Sequence, residues 1–230
     1  MNIELVKKSM NKTICYIFAM FEEAEATIIN NNFVLIEKEP FLVYKNNKSY
    51  LTITGIGLIN SATCLSCLIS KYDIDYFINI GTACSIDKEI NVLDVVVIDN
   101  AYLGNVDVTG FGYKIGQVPK MPEKYKSSSF IEAYNISKKQ ANIFSSDIFI
   151  NSTEKVEKYV YEVNDSIKII DMECAALFQT SFILKKNISS IKIISDVIGS
   201  KSNEEEFSIF LKKCSYKINE IIRKIEQNKK

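Results

Sequence analysis

A short apolar run near the C-terminal end of the chain, Ile191 to Ile194, ends abruptly in Ser195 and Asp196. This pattern predicts a buried strand that carries a carboxylate to the rim of a sheet, where α/β proteins bind their ligands. The 230-residue chain has no histidine, so acid–base chemistry near neutral pH must come from carboxylates, lysines, tyrosines or cysteines with shifted pKa values. Asp196 is therefore the first candidate for proton transfer, and a strand-end surface acid or a helix cap is its alternative.

Two more carboxylates stand where helical patterns begin. Glu23 belongs to an acidic group with Glu22 and Glu25 after the first predicted strand, and Glu173 comes two residues after Asp171. Acidic residues in the first turn of a helix are favoured by the helix dipole. A charged helix start is therefore the alternative to a chemical role for both Glu23 and Glu173.

Short apolar runs alternate with helical patterns along most of the chain. Strands are predicted over 14–18, 33–36, 41–44, 50–53, 76–80, 95–98, 167–170 and 191–194, and helices over 22–30, 60–72, 152–161, 173–185 and 205–227. Near-continuous apolar strands between helices indicate a sheet covered on both faces. No repeat, linker or domain boundary is visible, so residues 1–230 are expected to form a single domain. The first dozen residues and the last few are expected to fray.

Charge and composition narrow the possible partners. Lysine and arginine together number 28, as do aspartate and glutamate, so neither nucleic acid nor an anionic membrane is expected as a partner. Arg223 is the single arginine, and phosphate clamps are usually built from arginine. This scarcity weakens a phosphate site without excluding one, because lysine can serve as a point charge.

Neither a metal nor an organic cofactor is expected. Cys64 and Cys67 have the spacing of half a metal site, but the chain has no second such pair and no histidine to complete it. Their helical spacing favours packing in the core instead. The sequence also lacks the GxGxxG and GxxxxGK(S/T) motifs of dinucleotide and P-loop sites.

The apolar runs and cysteines also bear on location. The run from Ile14 to Met20 follows Lys7 and Lys8, but acidic residues come directly after it and no small-residue cleavage site is present. No run approaches the length of a transmembrane helix. A reduced, cytoplasmic protein is the expectation.

Seven short blocks are spread in a fixed order along almost the whole chain. They are Ala19-Met20-Phe21-Glu22-Glu23, Thr54-Gly55-Ile56-Gly57, Asn79-Ile80-Gly81-Thr82-Ala83, Asp107-Val108-Thr109-Gly110-Phe111-Gly112-Tyr113 with Gly116-Gln117-Val118-Pro119, Asp147-Ile148-Phe149-Ile150-Asn151, Asp171-Met172-Glu173 and Ile194-Ser195-Asp196. Together they resemble the 5′-methylthioadenosine/S-adenosylhomocysteine nucleosidases of the purine nucleoside phosphorylase superfamily. The resemblance implies an α/β fold with three αβα layers around a mixed central sheet, purine nucleoside phosphorylase-like. The fourth block points to the nucleosidase branch rather than to the phosphorylases.

The resemblance implies a hydrolase that cleaves the N-glycosidic bond of methylthioadenosine and adenosylhomocysteine, and of 5′-deoxyadenosine as a further substrate, within methionine salvage. Asp196 would protonate the purine N7, so that adenine leaves as a neutral base. Glu23 would activate the attacking water, and Glu173 would bind the ribose hydroxyls and stabilise the oxocarbenium-like ring. Acid and base are then divided between two carboxylates, as in glycoside hydrolysis generally.

The resemblance also implies a set of binding residues. Phe149 would stack on adenine, and Ile150 would present backbone hydrogen-bonding groups to its edge. The remaining expected substrate contacts are Thr82, Lys192 and Ser195. Ile56, Met172 and Phe207 would line the pocket of the 5′-alkylthio group, and Val108, Phe111 and Tyr113 would complete it from the partner subunit of a homodimer. Ordinary core packing is the alternative for Phe149, Met172 and Phe207.

Several positions depart from the family pattern. They are Lys192 for an arginine that helps position the water, Asp171 for a glutamate, Thr82 for a serine, Cys84-Ser85 for two glycines, and Phe21 for an acid. These changes bear on turnover rate and substrate range more than on reaction type. A purine nucleoside phosphorylase and a nucleoside-binding protein whose catalysis has decayed stay open as alternative functions.

Overall fold

A ten-stranded sheet lies at the centre of the computed structural model, which describes residues 12–199 and 204–228, and side chains except those of 204–209. The strands are β1 (Ile14–Phe18), β2 (Val34–Glu37), β3 (Leu42–Lys45), β4 (Ser49–Ile53), β5 (Tyr76–Ser85), β6 (Val95–Leu103), β7 (Tyr125–Lys126), β8 (Gln140–Ser145), β9 (Ile167–Asp171) and β10 (Asn187–Val197). The helices are α1 (Phe21–Asn30), α2 (Leu58–Lys71), α3 (Thr153–Lys155, continued by a π-helical segment over Val156–Tyr161), α4 (Cys174–Ile183) and α5 (Glu204–Gln227). The expected fraying of the chain ends concerns residues that lie largely outside this description.

The sheet combines parallel and antiparallel pairs, which confirms the expected mixed sheet. Strand β5 runs parallel to β1 and β10, and β1 runs parallel to β4. Strands β3 and β2 extend this end of the sheet as antiparallel neighbours. At the other end β10 pairs with β6, β6 with β8, β8 with β9 and β9 with β5, so these five strands close on themselves.

Helices cover both faces of the sheet, as strand β1 illustrates. Ile14, Tyr16 and Phe18 belong to one buried apolar cluster together with residues of α1 and α5. Cys15 and Ile17 point to the opposite face, where they join a cluster with residues of α2 and α4. Alternate side chains of one strand therefore serve two helical layers. This confirms the predicted three-layer αβα architecture.

Two differences from the predicted elements lie where strands enter the site. Strand β5 continues past Ile80 to Ser85, and β10 continues past Ile194 to Val197. The predicted strands stopped where the apolar pattern stops, but backbone pairing between β5 and β10 continues beyond it, with a bulge between Ile194 and Asp196. Asp196 consequently lies inside a strand rather than just after one.

Two other predictions need correction. Strand β8 was missed because its sequence, QANIFS, mixes polar and apolar residues without a strand-like run. Cys64 is fully buried, as predicted, whereas Cys67 is exposed, so core packing was wrong for the second cysteine. Over the described ranges, no helix combines the length and apolarity needed to cross a membrane.

Candidate active site

A cavity of about 440 Å³ opens at the carboxyl ends of the parallel strands β1, β5 and β10. Its wall comes from the segment after β1, the second half of β5, the loop after β8, the end of β9 and the end of β10. Ten of the predicted site residues line it: Glu23, Ile56, Thr82, Phe149, Ile150, Met172, Glu173, Lys192, Ser195 and Asp196. Residues far apart in sequence thus meet where α/β sheets usually bind ligands.

Glu23 is a buried carboxylate, although it lies in the first turn of α1. Its exposed fraction is 2%, whereas Glu22 and Glu25 on the same helix are exposed to solvent. Burial raises the pKa of Glu23, and hydrogen bonds from Thr82 together with the nearby Lys192 charge oppose that rise. A solvated helix start therefore describes Glu22 and Glu25 but does not account for Glu23.

Hydrogen bonds fix both oxygens of Glu23. Its Oε1 accepts from the backbone N–H of Thr82 at 2.7 Å and from the Thr82 hydroxyl at 2.8 Å, while Oε2 accepts from the backbone N–H of Met20 at 3.2 Å. Gly81 makes this approach possible, because a Cβ there would lie 2.9 Å from Oε1 and 3.1 Å from Oε2. Strand β5 thus needs glycine at this position to admit the carboxylate.

Glu173 lies between β9 and α4 with its carboxylate in the cavity wall. Its Oε1 accepts from the backbone N–H of Gly57 at 3.0 Å, which ties it to the start of α2. Burial, and then the charge of Asp171, raise the pKa of Glu173 to about 7, against the lowering effect of Lys192. Near neutral pH the group is therefore poised to donate to a ligand hydroxyl or to accept from one.

Lys192 forms a buried ion pair beside these two carboxylates. Its Nζ lies 2.8 Å from Oδ2 of Asp171, and the two side chains are only 2% and 3% exposed. Burial opposes the charge on Lys192, but Asp171 and the other acidic neighbours outweigh it and raise the lysine pKa. The cavity therefore contains a permanent cation near neutral pH.

Asp196 and Ser195 line the cavity from the end of β10. The Ser195 hydroxyl lies 2.6 Å from Oδ1 of Asp196, to which it donates. Asp196 is half-buried and pairs in register with Cys84 on β5. Burial, followed by the Asp196 charge, raises the pKa of the Cys84 thiol, so that thiol stays protonated near neutral pH. Asp196 is neither a helix cap nor a free surface acid.

The loop after β8 presents an aromatic ring at the cavity mouth. Phe149 is 66% exposed while Ile150 is buried, so ordinary core packing is wrong for Phe149. The loop is anchored at both sides: Asp147 Oδ1 accepts from the backbone N–H of Leu58 at 2.9 Å, and Lys155 Nζ donates to the Phe149 carbonyl at 2.8 Å. A flat apolar face is thereby held next to buried carboxylates, which is the arrangement needed for an aromatic base.

Three of the predicted site residues that the structure describes do not line this cavity. Val108, Phe111 and Tyr113 lie in or beside the 3₁₀ turn Thr109–Phe111, and the Phe111 side chain is 84% exposed. The side chain of Phe207 falls outside the described residues.

Sequence reasoning missed several residues that shape the site. The role of Gly81 in admitting Glu23 was not predicted, because it depends on the packing of α1 against β5. Asp147 and the ion pair of Asp171 with Lys192 were also missed, because the residues that they contact are distant in sequence. For Gly81 and Asp171 the available signal was their position directly after predicted strands.

Comparisons with known proteins show which proteins the chain is similar to. A family model described as the phosphorylase superfamily matches residues 40–225. A 5′-methylthioadenosine/S-adenosylhomocysteine nucleosidase of Staphylococcus aureus (strain MRSA252) is 29% identical over 208 residues, covering 84% of this chain and 90% of the relative. The Neisseria meningitidis nucleosidase of the same name, solved with methylthio-immucillin-A, is 28% identical with a TM-score of 0.85, covering 94% of this chain and 99% of the other. A Borrelia burgdorferi B31 protein solved with bound adenine is 28% identical with a TM-score of 0.80, covering 93% and 99% of the two chains.

Proposed function

The chain belongs to the phosphorylase superfamily, and on that premise we propose that it hydrolyses the N-glycosidic bond of 5′-methylthioadenosine and S-adenosylhomocysteine to release adenine. One observation carries the proposal: Glu23, Glu173 and Asp196 line a single cavity beside the exposed ring of Phe149. An aromatic platform suits a purine, and several carboxylates suit cleavage of a glycosidic bond.

Each of the three carboxylates has a separate role in the proposed reaction. Adenine stacks on Phe149, and Asp196 acts as the general acid that delivers a proton to the purine N7 as the bond to ribose breaks. Positive charge then develops on the sugar ring, where the buried Glu173 stabilises it and binds the hydroxyls. Glu23 takes a proton from the attacking water, which is the role of a fixed carboxylate with a raised pKa.

The charges of the cavity favour water over phosphate as the nucleophile. Among the described residues that line it, Lys192 is the one cation, and its ammonium is already paired with Asp171. The neighbouring Glu23 and Glu173 would repel a phosphate dianion. A phosphorylase reaction is therefore the weaker alternative.

A panel of nucleosides tests the proposed substrates. The purified protein is incubated with methylthioadenosine, adenosylhomocysteine, 5′-deoxyadenosine and adenosine, and adenine is quantified by chromatography. We expect the two 5′-thio compounds, methylthioadenosine and adenosylhomocysteine, to release adenine with a higher kcat/KM than 5′-deoxyadenosine and adenosine. Tight binding of these compounds without release of adenine would identify a decayed nucleoside-binding protein instead.

A homodimer is the second part of the proposal. Ile56, Ile59, Phe111 and Phe149 are large apolar side chains that are each more than half exposed. Ile56 and Phe149 line the cavity, so an apolar surface continues from the mouth of the site onto the outside of the chain. A second copy that covered it with Val108, Phe111 and Tyr113 would close the slot for the 5′-alkylthio group.

Replacing Phe111 with alanine is expected to weaken binding of methylthioadenosine by on the order of 1–3 kcal/mol and binding of adenosine much less. Only the thio compound fills the apolar slot that the partner's loop would close. Calorimetry on both ligands in the Asp196→Asn background, where cleavage is slow, measures the difference, with Ile29→Ala as a control at another exposed apolar residue. Equal losses for both ligands, or a fully active monomer in sedimentation, would contradict the arrangement.

Replacing Gly81 with alanine is expected to lower kcat about 100-fold, because small displacements of a catalytic group have effects of that size. The new Cβ would force the Glu23 carboxylate out of its place. Steady-state kinetics and thermal melting measure activity and stability separately. Wild-type kcat in a folded Gly81→Ala protein would mean that the position of Glu23 does not matter.

The setting of the reaction follows from the same proposal. Six free cysteines suit a reducing compartment, and we place the enzyme in the cytoplasm, where release of adenine from thio-nucleosides would serve methionine salvage. We also propose that residues 1–230 form a single nucleoside phosphorylase-like domain.

A further inference from the structure

One buried cation influences several carboxylates in the cavity. Lys192 pairs with Asp171, whereas among the described residues no ion pair joins it to Glu23 or Glu173. Burial raises the pKa of both glutamates, and the Lys192 charge lowers both. Which carboxylate pairs with Lys192 therefore affects the pKa values of Glu23 and Glu173, the two groups that the proposed reaction uses beside Asp196.

An ion pair and several hydrogen bonds fix the carboxylate of Asp171, and with it the Lys192 ammonium. Its Oδ2 lies 2.8 Å from Lys192 Nζ, and its Oδ1 accepts a hydrogen bond from the Ser145 hydroxyl. Both oxygens also accept from the backbone N–H of Cys174, at 3.3 and 3.1 Å, at the start of α4. Three separate elements thus fix a carboxylate that is almost fully buried.

We propose that Asp171 is a positioning residue, which holds the Lys192 ammonium in its own ion pair and so prevents that cation from pairing directly with Glu23 or Glu173. For its catalytic consequence the inference rests on the proposed function. A carboxylate in a direct ion pair has a lower pKa and is a weaker base. By retaining Lys192, Asp171 keeps Glu23 basic enough to take a proton from water.

A purely structural role for Asp171 makes a different prediction. Asparagine is as good a helix cap as aspartate, and its carbonyl oxygen can still accept the bond from Ser145. Asp171→Asn therefore keeps the contacts to Ser145 and Cys174 but loses the charge that holds Lys192. If Asp171 only capped α4, this variant would behave like the wild type.

The kinetic test compares adenine release by the wild type and Asp171→Asn across pH. The groups that face Lys192 are Asp171, Glu173, Cys174 and Glu23. With Asp171 neutral, the ammonium pairs with a glutamate, so we expect kcat to fall about 10- to 100-fold with KM little changed. The acidic limb of the pH profile should move down by about one unit, because the paired base loses its proton more readily.

Three variants serve as controls. Asp171→Glu keeps the charge and should retain the wild-type acidic limb and a higher kcat than Asp171→Asn. Asp171→Ser is a second neutral cap and replaces Asp171→Asn if that protein does not fold. Glu226→Gln removes another buried carboxylate, which lies on α5 and does not line the cavity. Glu226 accepts hydrogen bonds from Tyr16 on β1 and Ser49 on β4, and its replacement should leave kcat unchanged.

A second readout does not need turnover and so separates this inference from the proposed function. Carboxyl-¹³C nuclear magnetic resonance follows the titration of Glu23 and Glu173, assigned with Glu23→Gln and Glu173→Gln. In Asp171→Asn, Glu23 should titrate about one unit lower than in the wild type. A fall confined to Glu173 would overturn the inference, because the lost charge of Asp171, which itself raises the Glu173 pKa, would account for it alone. Unchanged titration, or wild-type kcat and pH profile in Asp171→Asn, would overturn the inference, as would an equal loss of kcat in Glu226→Gln. A wild type that releases no adenine would overturn the proposed function, while the titration would still decide the role of Asp171.

Discussion

Replacing Asp196 with asparagine is expected to lower kcat for adenine release by about 10²- to 10⁴-fold and to leave the fold intact. The amide cannot deliver a proton to the purine N7, so adenine would have to leave as an anion. Asparagine still accepts a hydrogen bond from Ser195 and is nearly the same size as aspartate. The loss should therefore come from the missing proton rather than from altered packing.

A substrate with a better leaving group gives a sharper test of the same role. A 5-methylthio-riboside of p-nitrophenol needs no protonation, since p-nitrophenolate is a stable anion. Asp196→Asn should hydrolyse this compound nearly as fast as the wild type does. Asp99→Asn is the matched control at a half-buried aspartate outside the cavity and should be fully active on both substrates. Equal losses of Asp196→Asn on both substrates would mean that Asp196 is not the acid.

Replacing Glu23 with glutamine is expected to lower kcat about as much as Asp196→Asn does. Unlike Asp196→Asn, it should lower kcat on both methylthioadenosine and the nitrophenyl riboside. Activation of water is needed whichever group leaves, so the nitrophenyl riboside should not rescue this variant. Glutamine keeps the size of the side chain, and its carbonyl oxygen can still accept the two bonds from Thr82, while the weaker bond from the Met20 N–H is lost. Exposed Glu22→Gln on the same helix is the matched control and should leave kcat unchanged.

The pH profile of the wild type follows from the same buried groups. Burial raises the pKa of Glu23, and raises that of Glu173 to about 7. The base works only when ionised, so kcat/KM should fall as the pH drops through these raised values. The acidic limb should lie well above the range of exposed carboxyl groups. Two results would contradict the assignment of Glu23 as the base. One is near-wild-type kcat of Glu23→Gln on the nitrophenyl riboside, and the other is an acidic limb of the wild-type pH profile near pH 4.

Much of the fold was predictable because its signals are local. Apolar runs identified β1, β4 and β9, and the alternation with helices indicated a sheet covered on both faces. Strand β8 and the ends of β5 and β10 were not predictable in this way. They are stabilised by pairing with distant strands, and their own residues mix polar and apolar types.

The candidate site was predictable in its chemistry more than in its electrostatics. A strand ending in Ser195-Asp196 and the absence of histidine directed attention to carboxylates. Nothing local separates Glu23 from Glu22, because the difference arises when Thr82 and Gly81 on β5 meet α1. The pairing of Lys192 with Asp171 likewise depends on β10 and β9 reaching the same cavity.

The identity of the sugar product tests hydrolytic cleavage by this pocket most directly. The wild type is incubated with methylthioadenosine in phosphate-free buffer containing a chelator, and in parallel with phosphate, and both products are identified by mass spectrometry. Hydrolysis predicts adenine and free 5-methylthioribose in both reactions at equal rates. Adenine release that requires phosphate and yields methylthioribose 1-phosphate, or activity that is lost with the chelator, would contradict it.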